Sequence, residues 1–134
     1  LQCRAHAAQF GALRELDADR SVVMLNLVRF RDIADYSGRP DLAPEAPISG
    51  AEAYRRYTKT AHASLEAIGG SVEHFRMCKP TFIGPDGEQW DAMLTVRYPN
   101  PAAFRSMINQ PAYVEAAAHR TAALVDSRLI PTSR

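Results

Sequence analysis

An α+β fold is predicted, with a four-stranded antiparallel sheet covered by helices on one face. Three observations predict it. A branched, apolar run, VVMLNLVRF, reads as a strand. Ser49-Gly50-Ala51-Glu52 has the form of a capping box, in which the serine oxygen accepts from the first helical turn. Gly84-Pro85-Asp86-Gly87 is a turn between two further strand-like runs.

Phe10, Leu13 and Leu16 recur at helical spacing over His6 to Leu16, and Asp17-Ala18-Asp19 ends that pattern, so residues 1–20 read as a leading helix. Ser21 to Arg31 is the first strand. Residues 32–48 hold three prolines and no periodicity, as expected of an exposed loop. From Ser49 the apolar stripe Tyr54, Tyr57, Ala61, Leu65 and Ile68 defines a helix, which Gly69-Gly70 closes with a left-handed cap. Ser71 to Ile83, interrupted near Lys79-Pro80, and Glu88 to Tyr98 form a hairpin. Asn100-Pro101 starts a helix with Phe104, Met107 and Ile108 on its buried face; Pro111 breaks it and starts another; and Leu124 to Ile130 is the last strand. After the leading helix the order is βαββαβ, the ferredoxin-like arrangement.

The first strand has apolar residues on both sides, Val23, Leu25 and Leu27 on one and Val22, Met24 and Val28 on the other. Helices cover one face. Packing of two subunits sheet to sheet would cover the other, so a homodimer of the dimeric α+β-barrel kind is expected.

A chain of 134 residues, 46% hydrophobic and 23% charged, is expected to form one domain over 1–134. Its formal charge of +1 offers no broad field for nucleic acid or an anionic membrane. Neither a membrane-spanning run nor the apolar centre of a secretory signal is present in the sequence, so a cytoplasmic location is expected. Cys3 and Cys78 are far apart, and His6, His62, His74 and His119 show no HxH or HExxH spacing. No metal site or disulfide framework is therefore expected. Nor is there a glycine-rich phosphate loop or a G-x-S-x-G elbow, so nucleotide-dependent and serine-hydrolase chemistry rank low.

Nine residues could shape a ligand site. Asn26 is an amide at the centre of an apolar strand, suited to orienting a carbonyl or carboxylate, or else a core amide tied to backbone at a sheet irregularity. Trp90 could stack on a flat compound or simply fill the core. Tyr54 and Tyr57, three residues apart, turn two phenols to the same side of their helix. His62 and His74 are the histidines best suited to carry a proton, although no carboxylate stands at a fixed spacing to orient either. Arg29 and Arg97 occupy strands, where arginine must meet a carboxylate, a ligand anion or water. Arg120 either clasps Asp126 or Glu115 or binds an anion.

The segments VVMLNLVRF, AYRRY, AIGG, WDAMLTVRYPN, PAAF and PAYVEAAAHRTAALVDSRLI resemble a bacterial family catalogued as domain of unknown function 1330, over about residues 20 to 131. The most specific part is P-x-Y, an arginine seven residues later (Arg120), then A-L-x-D-S-R-L. The resemblance implies a dimeric α+β barrel and no established reaction; the insert from Asp32 to Pro47 departs from the shortest members as a lid or an interface arm. Families of similar architecture include cofactor-free monooxygenases, muconolactone-type isomerases and haem-degrading oxygenases. Asn26 and Trp90 resemble an asparagine and a tryptophan of the haem-degrading group, but Ala102 to Asn109 lacks that group's ligating histidine. No cofactor is expected. Two functions follow: a small-molecule-binding homodimer, in its catalytic form a cofactor-free oxygenase or isomerase acting on a small hydrophobic or aromatic compound; or a non-catalytic dimeric structural or binding module.

Overall fold

The computed structural model describes residues 16 and 18–133, so the predicted leading helix lies outside the described residues apart from Leu16. Strand β1 (Val22–Phe30) is central in a sheet of order β2-β3-β1-β4, with β2 at Ser71–Met77, β3 at Ala92–Tyr98 and β4 at Leu124–Thr132. All neighbouring strands are antiparallel. Side chains alternate across a strand, and here the even-numbered set of the two central strands faces inward. Val22, Met24 and Val28 of β1 and Ala92, Leu94, Val96 and Tyr98 of β3 are buried. Each fully buried larger aliphatic among them contributes about 1.5–3 kcal/mol.

Three helices cover that face: α1 (Gly50–Ala67), α2 (Pro101–Ile108) and α3 (Pro111–Ala123). The ferredoxin-like βαββαβ order is therefore present, with its second helix divided at Pro111. Ser49 Oγ accepts from Glu52 N at 3.0 Å and Asn100 Oδ1 from Ala103 N at 2.8 Å, as their positions before α1 and α2 predict. The capping box is half formed, because the Glu52 carboxylate turns outward to Arg55. Past the end of α1, Gly69 takes φ +78°, a left-handed value that glycine adopts without strain.

Two predicted stretches differ. Strand pairing in the hairpin stops at Met77 with Ala92, so residues 78–91 form a long loop rather than a tight turn. Pro80 cannot donate to a ladder, which ends the pairing there. Asp91 anchors the base of the loop: its N–H donates to Val28 O at 2.8 Å, its carboxylate accepts from Phe30 N at 2.7 Å, and its own carbonyl accepts from Cys78 N at 2.9 Å. The proline-bearing stretch 32–48 is exposed over much of its length but is pinned as a strap. Asp35 N donates to Ala122 O at 2.8 Å, Ala34 N to Ile48 O at 2.9 Å, and Tyr36 is buried.

The odd-numbered face of the sheet carries Val23, Leu25, Leu27 and Met93, each half-buried, with Ile130 exposed beside Leu25. All three helices lie on the opposite face.

Candidate functional site

Asn26 lies on the helix-covered face, in register with Leu94 on one side and Leu129 on the other. The sheet irregularities fall at Arg29/Phe30 and at Val72/His74, away from Asn26. Its side-chain hydrogen bond is a long one, Nδ2 to Met24 O at 3.4 Å. Such a bond adds little, so Asn26 is poorly tied as a fastener.

Tyr54 and Tyr57 do share a face of α1, and they turn it toward α3. Their ring centroids are 5.4 Å apart, Tyr54 also packs on Phe30 at 5.4 Å, and the Tyr57 and Tyr113 hydroxyls are hydrogen-bonded at 2.9 Å. Tyr98, paired in register with Val22, stands at the other end of β1, about 26 Å from Phe30 along an extended strand. Even so, Tyr98 interacts electrostatically with Tyr54, Tyr113 and Arg120. The geometry of the cluster itself is the Tyr57–Tyr113 hydrogen bond joining α1 to α3, with Tyr98 packed edge to face on Phe104 of α2 at 5.0 Å.

Burial pushes the Tyr54, Tyr57 and Tyr98 phenols above their ordinary value, Tyr57 and Tyr98 strongly, while the Arg120 charge pulls each of them back. At neutral pH all three are uncharged donors. Arg120 is half-buried on α3, seven residues beyond Tyr113, so two helical turns bring both to one side of the helix. Arg120 has no ion pair with Asp126 or Glu115, which corrects the clasp expected from sequence. Asp126 holds Arg128 at 2.5 Å and Ser127 N at 2.9 Å, and Glu115 acts on His119 and Arg39.

The other candidates lie elsewhere. His62 is on the solvent side of α1, 2.9 Å from Glu66 one helical turn on, which corrects the expectation that no carboxylate stands at a fixed spacing from it. His74 is exposed on the odd face at the sheet edge, 2.9 Å from Thr95 Oγ1. Trp90 sits under the Arg128 guanidinium at 5.1 Å; Arg128 is in register with Leu27, which puts this pair on the odd face too. Arg29 and Arg97 are exposed on that same face. The structure thus brings Tyr54 and Tyr57 together with Tyr113, on the helix-covered side of the sheet to which Asn26 also turns; the Arg120 charge acts on these phenols, and His62, His74 and Trp90 lie elsewhere. Tyr113 and Tyr98 were missed. The signal for Tyr113 was the seven-residue spacing to Arg120 in the P-x-Y motif; Tyr98 had none, because its role depends on strand pairing.

One more pair joins the strap to α3: Tyr36 OH and His119 Nδ1 are 2.7 Å apart, with the rings edge to face. The strap and α3 bound an open cleft of ≈ 320 Å³ lined by Tyr36, Arg39, Val114 and Ala118 among others. Burial lowers the His119 pKa below its ordinary 6.5, with the Arg56 and Arg39 charges adding to this and Glu115 opposing. The unfolded chain then takes up a proton that the folded one resists. Stability from this group is complete above about pH 6.5 and is lost as the pH falls through that value toward the lower folded one. Urea denaturation between pH 7.5 and 5.5 should show this loss, and His119→Gln should flatten it; an identical slope in the variant would assign the loss to other groups.

A four-stranded antiparallel sheet with helices on one face defines a ferredoxin-like protein. No family model matches the chain, and no curated protein matches it. Two crystal structures of RPA0582, a protein of unknown function from Rhodopseudomonas palustris, match at TM-scores of 0.86 and 0.84 and identities of 38% and 39%. They cover 98% and 96% of this chain, which in turn covers 93% of each. The chain belongs to the family of RPA0582. At3g17210 from Arabidopsis thaliana (TM-score 0.52, 17% identity, 84% of this chain and 94% of that one) shares the fold. So does a hydroxynitrile lyase from Passiflora edulis (TM-score 0.51, 9% identity, 85% of this chain and 93% of that one).

Proposed function

We propose that this protein is a homodimer that binds a small hydrophobic or aromatic compound between the sheet and the helices of each subunit. The observation that carries the reading is the tyrosine cluster between α1 and α3, with Tyr54 and Tyr57 rings 5.4 Å apart and Tyr57 hydrogen-bonded to Tyr113 at 2.9 Å, on the side of the sheet to which Asn26 turns. Rigid aromatic walls with a few polar groups are the usual make-up of a small-molecule site. In this reading the sequence segments that resemble domain of unknown function 1330 support membership of that family.

The apolar odd face is the dimer seam in this proposal, and it supports two sheets packing into an α+β barrel. Binding is favoured over proton-transfer catalysis, because phenols held above their ordinary pKa are good donors and poor bases. A fold shared with a hydroxynitrile lyase is compatible with catalysis but carries no weight for it.

Heteronuclear NMR with benzamide and benzyl alcohol as neutral probes tests the site. The expected result is shifts at Asn26, Tyr54 and Tyr57. Shifts confined to Trp90 and His74, or none at all, would overturn the reading.

A further inference from the structure

We propose that Arg120 anchors an anionic group of the ligand, a carboxylate or a comparable oxyanion, with the ligand's apolar body against Tyr54 and Tyr57. This rests on the ligand-site reading above and names the chemical class of the ligand.

Arg120 has no hydrogen bond or ion pair among the described residues. Far more exposed arginines do, Arg39 with Asp41 and Arg55 with Glu52. Arg120 is half-buried as a residue, and a cation held partly out of water gains from a charged partner. No ring takes that role, since the arginine stacked on an aromatic face is Arg128, over Trp90. Nor do the phenols, since Tyr54, Tyr57 and Tyr98 are neutral; of the two carboxylates nearest in sequence Asp126 is paired with Arg128, and no ion pair joins Glu115 to Arg120.

The donor balance points the same way. A guanidinium carries five N–H donors and no acceptor, and each neutral phenol adds one O–H donor together with one oxygen that can accept, so donors outnumber acceptor atoms. The Tyr57–Tyr113 hydrogen bond uses one of each. The cluster is therefore rich in donors and short of acceptors, which is what an oxyanion supplies. The guanidinium is also reachable, because Arg31 Nε and Arg105 Nη1, and no atom of Arg120, are the described arginine nitrogens sealed without a partner. Arginine pairs with a carboxylate through two parallel hydrogen bonds, so a flat carboxylate attached to a ring or short chain fits best.

The test compares benzoate with benzamide, which has the same size and no charge, by calorimetry and by the NMR shifts of Asn26 and the tyrosines. Benzoate should bind about tenfold or more tightly than benzamide, as a charged hydrogen bond confers. Arg120→Gln should remove the preference, so that benzoate and benzamide bind that variant equally; Arg120→Lys, which keeps the charge, should retain part of it. Equal affinities in the unaltered protein would overturn the anion inference and leave the site reading standing. A preference that survives in both variants would also overturn it. If neither probe moves the Asn26 and tyrosine signals, the site reading falls, and the inference with it. Should Arg120→Gln fail to fold, the comparison of unaltered protein with Arg120→Lys still decides: undiminished preference in the lysine variant counts against a bidentate anchor at Arg120.

Discussion

Gly50→Ala should cost on the order of 3 kcal/mol, as overpacking against unyielding atoms does, and lower Tm by roughly 10 °C. Three backbone segments meet at Gly50. Its N–H donates to Arg31 O at 3.0 Å, and Arg31 N donates to Ala123 O at 2.8 Å, so the start of α1 is locked against the exits of β1 and α3. A Cβ at Gly50 would stand 2.6 Å from Ala123 O and 2.7 Å from Arg31 N, and closer still to Arg31 O. Backbone atoms cannot rotate away as a side-chain tip can. Relief would require moving α1, which carries Tyr54 and Tyr57 only one to two turns further on. Gly38→Ala is the control, since nothing lies within 4 Å of a Cβ there. Urea denaturation should show a lower midpoint for Gly50→Ala with an unchanged slope, and little change for Gly38→Ala. Equal behaviour of the two variants would mean that the three-segment contact yields easily.

Leu25→Asp should abolish the proposed homodimer. Leu25 lies mid-strand on the odd face, in register with Thr95 and Ile130, and Val23 and Leu27 flank it on that face. In a two-fold seam each buried leucine is lost twice, and each introduced carboxylate meets desolvation, with its symmetry mate close by. The expected outcome by light scattering is twice the chain mass for the unaltered protein and the single-chain 14.8 kDa for the variant, with circular dichroism unchanged. A mass of 14.8 kDa for the unaltered protein would remove the dimer. A dimeric variant would move the seam off this face.

The candidate site was only partly legible in the sequence. Periodicity shows that Tyr54 and Tyr57 share a helix face, and alternation shows that Asn26 shares a side with Met24 and Val28. Neither says where those sides point. The sheet resolves this by burying the even set of β1, which turns Asn26 toward the helices and sends His74 and Trp90 to the opposite face. Histidine and tryptophan attract attention by chemistry alone, whereas Tyr98 acquires a neighbourhood only through its pairing with Val22.

What the sequence determined by itself is local: the βαββαβ order, the helix starts at Ser49, Asn100 and Pro111, and the left-handed stop at Gly69. Those features depend on hydrogen bonds and backbone preferences within a few residues, so neighbouring letters suffice to specify them. The tertiary structure alone decided that the proline-bearing loop is a strap latched through Tyr36 to His119, that Arg120 has no carboxylate, and that the Tyr57 and Tyr113 hydroxyls meet between α1 and α3. Each of these depends on contacts between residues dozens of positions apart, whose partners are chosen by strand register and helix packing rather than by spacing along the chain.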